Sequence, residues 1–118
     1  GLGKRLICSN PDRHSPRAGG VLVESPGALA HEYADAGGEV LFYGKPHRPI
    51  FEALGKQLGA ERVLMVGDSP EHDIAGAKTA AWDSLFIQGG LHAHEDEDTL
   101  DDLFVQSGAP DYMLPTLR

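Results

Sequence analysis

Short apolar runs alternate along the chain with longer segments in which apolar residues recur every three or four positions, and Gly, Pro, Asp or Ser marks each join. The runs at 6–8, 21–23, 40–43, 63–66, 85–87 and 112–114 predict strands. The first ends in the turn-rich Asn10-Pro11-Asp12, the second follows Gly19-Gly20, and the two can pair as a hairpin. Ser25-Pro26 has the form of an N-cap and first helical residue. Leu29, Ala30, Tyr33 and Ala34 follow at helical spacing until Gly37-Gly38 ends the helix.

Further helices are predicted over 48–58, closed by Gly59, over 71–80, and over 98–106, where Leu100, Leu103 and Phe104 share one face. Continuous apolar strands joined by helices imply an α/β fold with a parallel sheet covered on both faces. Residues 1–36 differ in texture from residues 37–118, which predicts two structural units.

A chain of 118 residues has room for one domain of ordinary size and no second full one. No apolar run approaches the ~18 residues of a membrane span, and one cysteine excludes a disulfide scaffold. Ten basic against eighteen acidic residues, a formal charge of −8, argue against nucleic acid as the partner. Six of those acids, Glu95, Asp96, Glu97, Asp98, Asp101 and Asp102, fall together and suit the start of a helix through its macrodipole. A lone Cys8 with no signal peptide before it predicts a reducing, cytoplasmic setting.

In an open parallel sheet, ligands gather beyond the carboxyl ends of the strands. After the strand at 63–66 comes Gly67-Asp68-Ser69-Pro70-Glu71-His72-Asp73, with one carboxylate at the strand tip and another near the start of the next helix. Mg²⁺ takes one or two carboxylates, several waters and a substrate phosphate, and Asp68 with Asp73 would supply that protein share. Equally, Ser69 can cap the helix, Pro70 can sit at its first position, and Glu71 and Asp73 can complement its dipole. Capping leaves Asp68 unexplained. After the strand at 40–43 comes Gly44-Lys45-Pro46, in which Pro46 keeps Lys45 out of helical geometry at the strand end. Alone, such a lysine is commonly just solvated; with Asp68 and Asp73 it completes the equipment of phosphoryl transfer.

Other candidates fall away. Gly38 to Lys45 has five residues between its glycines and Pro46 where a phosphate loop needs Ser or Thr. His92, His94, Glu95 and Asp96 form a polar surface loop, and Cys8 has no identifiable acid or base partner. Nothing in the pattern gives His14, His31, His47 or His72 a chemical role.

Gly44-Lys45-Pro46 and Gly67-Asp68-Ser69-Pro70-Glu71-His72-Asp73-Ile74-Ala75-Gly76-Ala77 resemble motifs III and IV of the haloacid dehalogenase (HAD) superfamily. Asn10-Pro11-Asp12 and Gly27-Ala28-Leu29 upstream narrow the resemblance to subfamily IIA, the NagD-like phosphatases with a large cap between motifs II and III. That resemblance implies the C-terminal half of a Rossmann-like core at 37–118 and the end of an α/β cap at 1–36. It implies that Asp68 ligates Mg²⁺, that Asp73 supports the metal site through water or a hydrogen bond, and that Lys45 steadies nucleophile and phosphoryl group. Asn10, Asp12 and Gly44 would lie on the substrate side.

Motif I, an apolar strand ending in Asp-x-Asp, is absent, as is the Ser or Thr of motif II; Asp96-Glu97-Asp98-Thr99 follows no apolar strand. The family attacks phosphorus with the first aspartate and hydrolyses an aspartyl-phosphate. The expectation is therefore a C-terminal portion of a Mg²⁺-dependent phosphatase acting on small phosphate monoesters such as sugar phosphates or nucleotides. Its nucleophile would lie upstream, and the chain alone would be inactive. Its edge would need the missing N-terminal half or a second copy. The competing class is a non-catalytic α/β module, receiver-like or small-molecule-binding.

Overall fold

The computed structural model describes residues 3–16, 19, 21–59 and 62–117. They form two compact units divided between Gly44 and Lys45. The texture change near residue 36 therefore falls inside the first unit, which runs on through one more strand.

In the first unit, β1 (Leu6–Cys8) pairs in parallel with β4 (Val40–Phe42), Leu6 opposite Val40 and Cys8 opposite Phe42. A parallel pair needs a crossover, supplied by β2 (His14–Pro16), β3 (Leu22–Glu24) and α1 (Pro26–Asp35). The hairpin expected between the first two apolar runs does not form. Instead β3 pairs antiparallel with β2, His14 opposite Glu24, while β1 is taken by β4. The strand β2 escapes sequence reading because a segment ending in proline carries no β signal. Helix α1 ends as predicted: Gly37 N–H donates to Ala34 O and Gly38 N–H to Tyr33 O, with Gly37 at φ 94° making the turn. Ser25 occupies the N-cap position, but its hydroxyl donates to Asp12 O rather than capping the helix.

The second unit opens with α2 (Arg48–Leu58), which has Pro49 in its first turn and Gly59 closing it in the left-handed conformation, as the sequence predicts. Three parallel strands follow, β5 (Leu64–Gly67), β6 (Asp83–Ile87) and β7 (Tyr112–Leu114), in the order β5-β6-β7. The helix expected at 71–80 has two parts: a π-helical turn, Pro70–Ile74, and α3 (Ala75–Ala80). Ile74 N–H reaches back five residues to Ser69 O at 3.3 Å, widening the turn. Helix α4 (Glu97–Ser107) starts at Asp96, whose side chain accepts from Thr99 N–H at 2.8 Å. That backbone hydrogen bond holds the Asp96 carboxyl below the ordinary carboxylate range, so the acidic stretch is a helix start.

The core of this unit is Ile74 of the π turn, Phe86 of β6 and Leu100 of α4, with Leu103 and Phe104 against them. The Phe86 and Phe104 rings meet edge to face at 5.2 Å. Ser84 shares the Phe86 face and is wholly buried; its hydroxyl and N–H both donate to Asp111 Oδ2, tying β7 to β6. On the other side of α3, Phe51 of α2 lies on Gly76, where any Cβ would strike its ring, and meets Trp82 at 5.4 Å. On the opposite face of the sheet Leu64, Val66, Tyr112 and Leu114 are exposed, while Ile87 between them is buried. No helix among the described residues is long and apolar enough to cross a membrane.

Because Phe86 has no exposed surface and joins three elements, Phe86→Ala is expected to cost about 3–5 kcal/mol. Urea unfolding of the two forms checks this; a loss below about 1 kcal/mol would contradict the assignment of the core.

Candidate active site

Both carboxylates predicted from the sequence stand at the carboxyl end of β5, and each rests on a glycine. Asp73 lies in the π turn with only 3% of its surface exposed. Its Oδ2 accepts from Ser69 N–H at 3.1 Å, and its Oδ1 accepts from Lys45 Nζ. A Cβ on Gly67 would occupy the space of the Asp73 side chain. The glycine before Asp68 therefore permits close approach of this carboxylate. Ser69 caps the turn as expected, accepting from His72 N–H at 3.3 Å, and its hydroxyl also meets His72 Nδ1 at 2.9 Å.

A buried carboxylate is stable as an anion only when paired and hydrogen-bonded, and Asp73 is both. Its partner differs: the Lys45 side chain is 45% exposed, on a turn whose Lys45–Pro46 peptide is cis. One donor of the ammonium is committed inward, and the other two take no acceptor among the described residues.

Asp68 is held differently. Its Oδ2 accepts from Leu91 N–H at 2.7 Å, and Oδ1 takes no hydrogen bond among the described residues. It borders a hollow of about 380 Å³ walled by Val66, Gly67, Ile87, Gly89 and Gly90. Among the described residues no three His, Cys, Asp or Glu side chains gather closely enough to cage a metal. The donor set fits a hard cation that keeps its waters, with Asp68 Oδ1 open to it, whereas Asp73 already has a direct partner on each oxygen.

Asn10, Asp12 and Gly44 come together in the first unit. Asn10 Oδ1 accepts from Asp12 N–H at 3.1 Å, which makes the side chain a turn former, and Gly44 lies against Ser9 O and Pro11. Helix α1 clamps the same loop: His31 Nε2 bonds Pro11 O at 2.9 Å, and a Cβ at Gly27 would strike the backbone of Asn10 to Asp12. His31, for which the sequence pattern gives no chemical role, has a structural one, and its ring stacks on Phe42. Cys8 is buried, its thiol directed at Asn10 O at 3.3 Å.

Sequence reading missed Gly90 and Leu91, although Gly89-Gly90 one residue after a strand was the available signal.

A family model described as HAD-hydrolase-like matches residues 42–118, and the chain belongs to that family. It is similar to dihydroxyacetone phosphatase of Corynebacterium glutamicum, 29% identical over 91 residues that cover 75% of this chain and 33% of that protein. It superposes on p-nitrophenyl phosphatase from Archaeoglobus fulgidus with a TM-score of 0.76 at 29% identity, covering 98% of this chain and 44% of that one. A glycerol phosphate phosphatase from Mycobacterium tuberculosis, solved in complex with calcium, matches with a TM-score of 0.65 at 27% identity, over 75% of this chain and 26% of that one. The chain thus spans less than half the length of these relatives. They are phosphatases of the subfamily IIA kind that the motifs resemble.

The two aspartates should separate in a stability measurement. Asp73→Ala strips Lys45 and Ser69 N–H of their acceptor and is expected to cost about 2 kcal/mol in urea unfolding, against less than about 1 kcal/mol for Asp68→Ala. Equal losses would contradict the division of roles.

Proposed function

We propose that this chain is the C-terminal portion of a Mg²⁺-dependent phosphatase of small phosphate monoesters, cytoplasmic, whose nucleophilic aspartate lies upstream. The observation that carries this reading is the pairing of half-exposed Lys45 with buried Asp73 in the same unit as Asp68, at the end of one parallel strand. Asp68 would hold the metal ion, with Asp73 acting through water or through Lys45. When bound, the ion supplies Lewis-acid stabilisation of charge on the phosphoryl oxygens. Lys45, its position set by Asp73, offers its outward donors to a phosphoryl oxygen and lowers the cost of gathering negative charge there. Transfer of the phosphoryl group to the first upstream aspartate, with the leaving oxygen taking its proton from the second aspartate of that Asp-x-Asp, and hydrolysis of the resulting acyl phosphate would complete the reaction.

Residues 1–36 are read as the end of a cap and 37–118 as the second half of the core, with Asn10, Asp12 and Gly44 toward substrate. Two features favour an absent half or a second copy: β5 has a strand on one side alone among the described residues, and Leu64, Val66, Tyr112 and Leu114 on one sheet face are exposed. The names of the relatives, dihydroxyacetone phosphatase among them, support small phosphorylated metabolites as substrates.

Hydrolysis of p-nitrophenyl phosphate with and without Mg²⁺ tests the proposal. The chain alone is expected to show no turnover, and the same chain joined to an upstream segment carrying Asp-x-Asp to show Mg²⁺-dependent turnover. In the joined form, Lys45→Ala and Asp68→Asn should each lower kcat/KM by about 10²-fold or more. Turnover by the chain alone, or a joined form indifferent to both substitutions, would overturn it.

A further inference from the structure

The loop after β6 has a construction that the reading of Asp68 alone does not require. Gln88 N–H donates to Leu114 O at 2.9 Å and Gly89 N–H to Pro115 O at 2.7 Å, stapling the loop to the end of β7. A Cβ at Gly89 would strike Pro115 O, so the loop lies as close to that segment as a glycine backbone allows. Ala93 N–H donates to Gly90 O at 3.1 Å, closing a turn. On the loop's other side, Leu91 N–H reaches Asp68 Oδ2 at 2.7 Å, and a Cβ at Gly90 would overlap the Cβ, Cγ and Oδ2 of Asp68.

We propose that the segment 88–91 is a positioning element for Asp68, with Gly90 and the Leu91 amide fixing one carboxylate oxygen so that the other is turned toward a divalent cation. The inference rests on the reading of Asp68 as a metal ligand and deepens it. An oxygen already engaged by an N–H has lost its rotational freedom, so the ordering cost of ligation falls on folding rather than on binding. A methyl group at position 90 meets Asp68 at its Cβ, not at a flexible tip, and the stapled loop has little room to retreat. The carboxylate must turn. Gly90 and Leu91 are therefore positioning residues that act through Asp68.

Titration of the 118-residue chain with Mn²⁺, followed by paramagnetic broadening of its amide resonances, provides the test. Gly90→Ala is expected to weaken Mn²⁺ binding about tenfold, the effect usual for loss of a group that orients a ligand. Saturating Mn²⁺ should restore the wild-type broadening pattern, which a general structural lesion would not allow. Unchanged affinity in Gly90→Ala, with Asp68→Asn abolishing binding, would overturn the inference and leave the metal reading standing. Unchanged affinity in Asp68→Asn would overturn the metal reading and the inference with it. Should Gly90→Ala fail to fold, hydrogen exchange at the Leu91 amide decides. Protection in the wild type that is lost in Asp68→Ala supports the inference, and equal exchange in both overturns it.

Discussion

The second unit depends on accommodating one buried carboxylate. Asp73 is nearly removed from solvent, and an unpaired charge there would cost several kcal/mol. Three features meet that demand: Gly67 has no side chain to keep the carboxylate away, Ser69 turns its N–H toward one oxygen, and Lys45 arrives from the start of the unit to neutralise the other. The widened π turn belongs with the same solution, because it carries Asp73 while placing Ile74 in the core against Phe86 and Leu100. Packing and site chemistry are thus joined at adjacent residues.

A division of labour follows. The carboxylate that is buried and engaged on both oxygens sets the position of a cation that is half exposed, and the more open carboxylate keeps one oxygen uncommitted among the described residues. On the function proposed above, such a site would meet a hydrated divalent ion and a phosphate with charges already oriented, which is where electrostatic stabilisation in catalysis comes from. The same proposal assigns the nucleophile to a segment outside these residues; the chain spans under half the length of its relatives.

Much of this is legible in the residue order where the cause is local. Pro49 and Gly59 mark both ends of α2, Gly37 and Gly38 end α1, and Asp96 starts α4 as the acidic stretch suggested. Lys45, Asp68 and Asp73 could be singled out because strand ends and Gly or Pro punctuation are local signals. What could not be read depends on residues far apart in the chain. Pairing of β1 with β4 spans more than thirty positions, and it redirects β3 to a partner whose own sequence carries no strand pattern. The Leu91 amide is 23 residues from the carboxylate it holds. Gly67 and Gly90 are each needed for the bulk they lack beside a particular aspartate, which residue order alone does not show. Ser25 had the signature of a helix cap and instead holds the carbonyl of Asp12 across thirteen residues.

The most direct test of this account is a crystal structure of the protein grown with Mg²⁺ and inorganic phosphate. The account predicts Mg²⁺ at about 2.1 Å from an oxygen of Asp68, with a phosphate oxygen on the ion and another within hydrogen-bond reach of Lys45 Nζ. Mg²⁺ bound instead among the acids at 95–102, with Asp68 facing no ion, would contradict it.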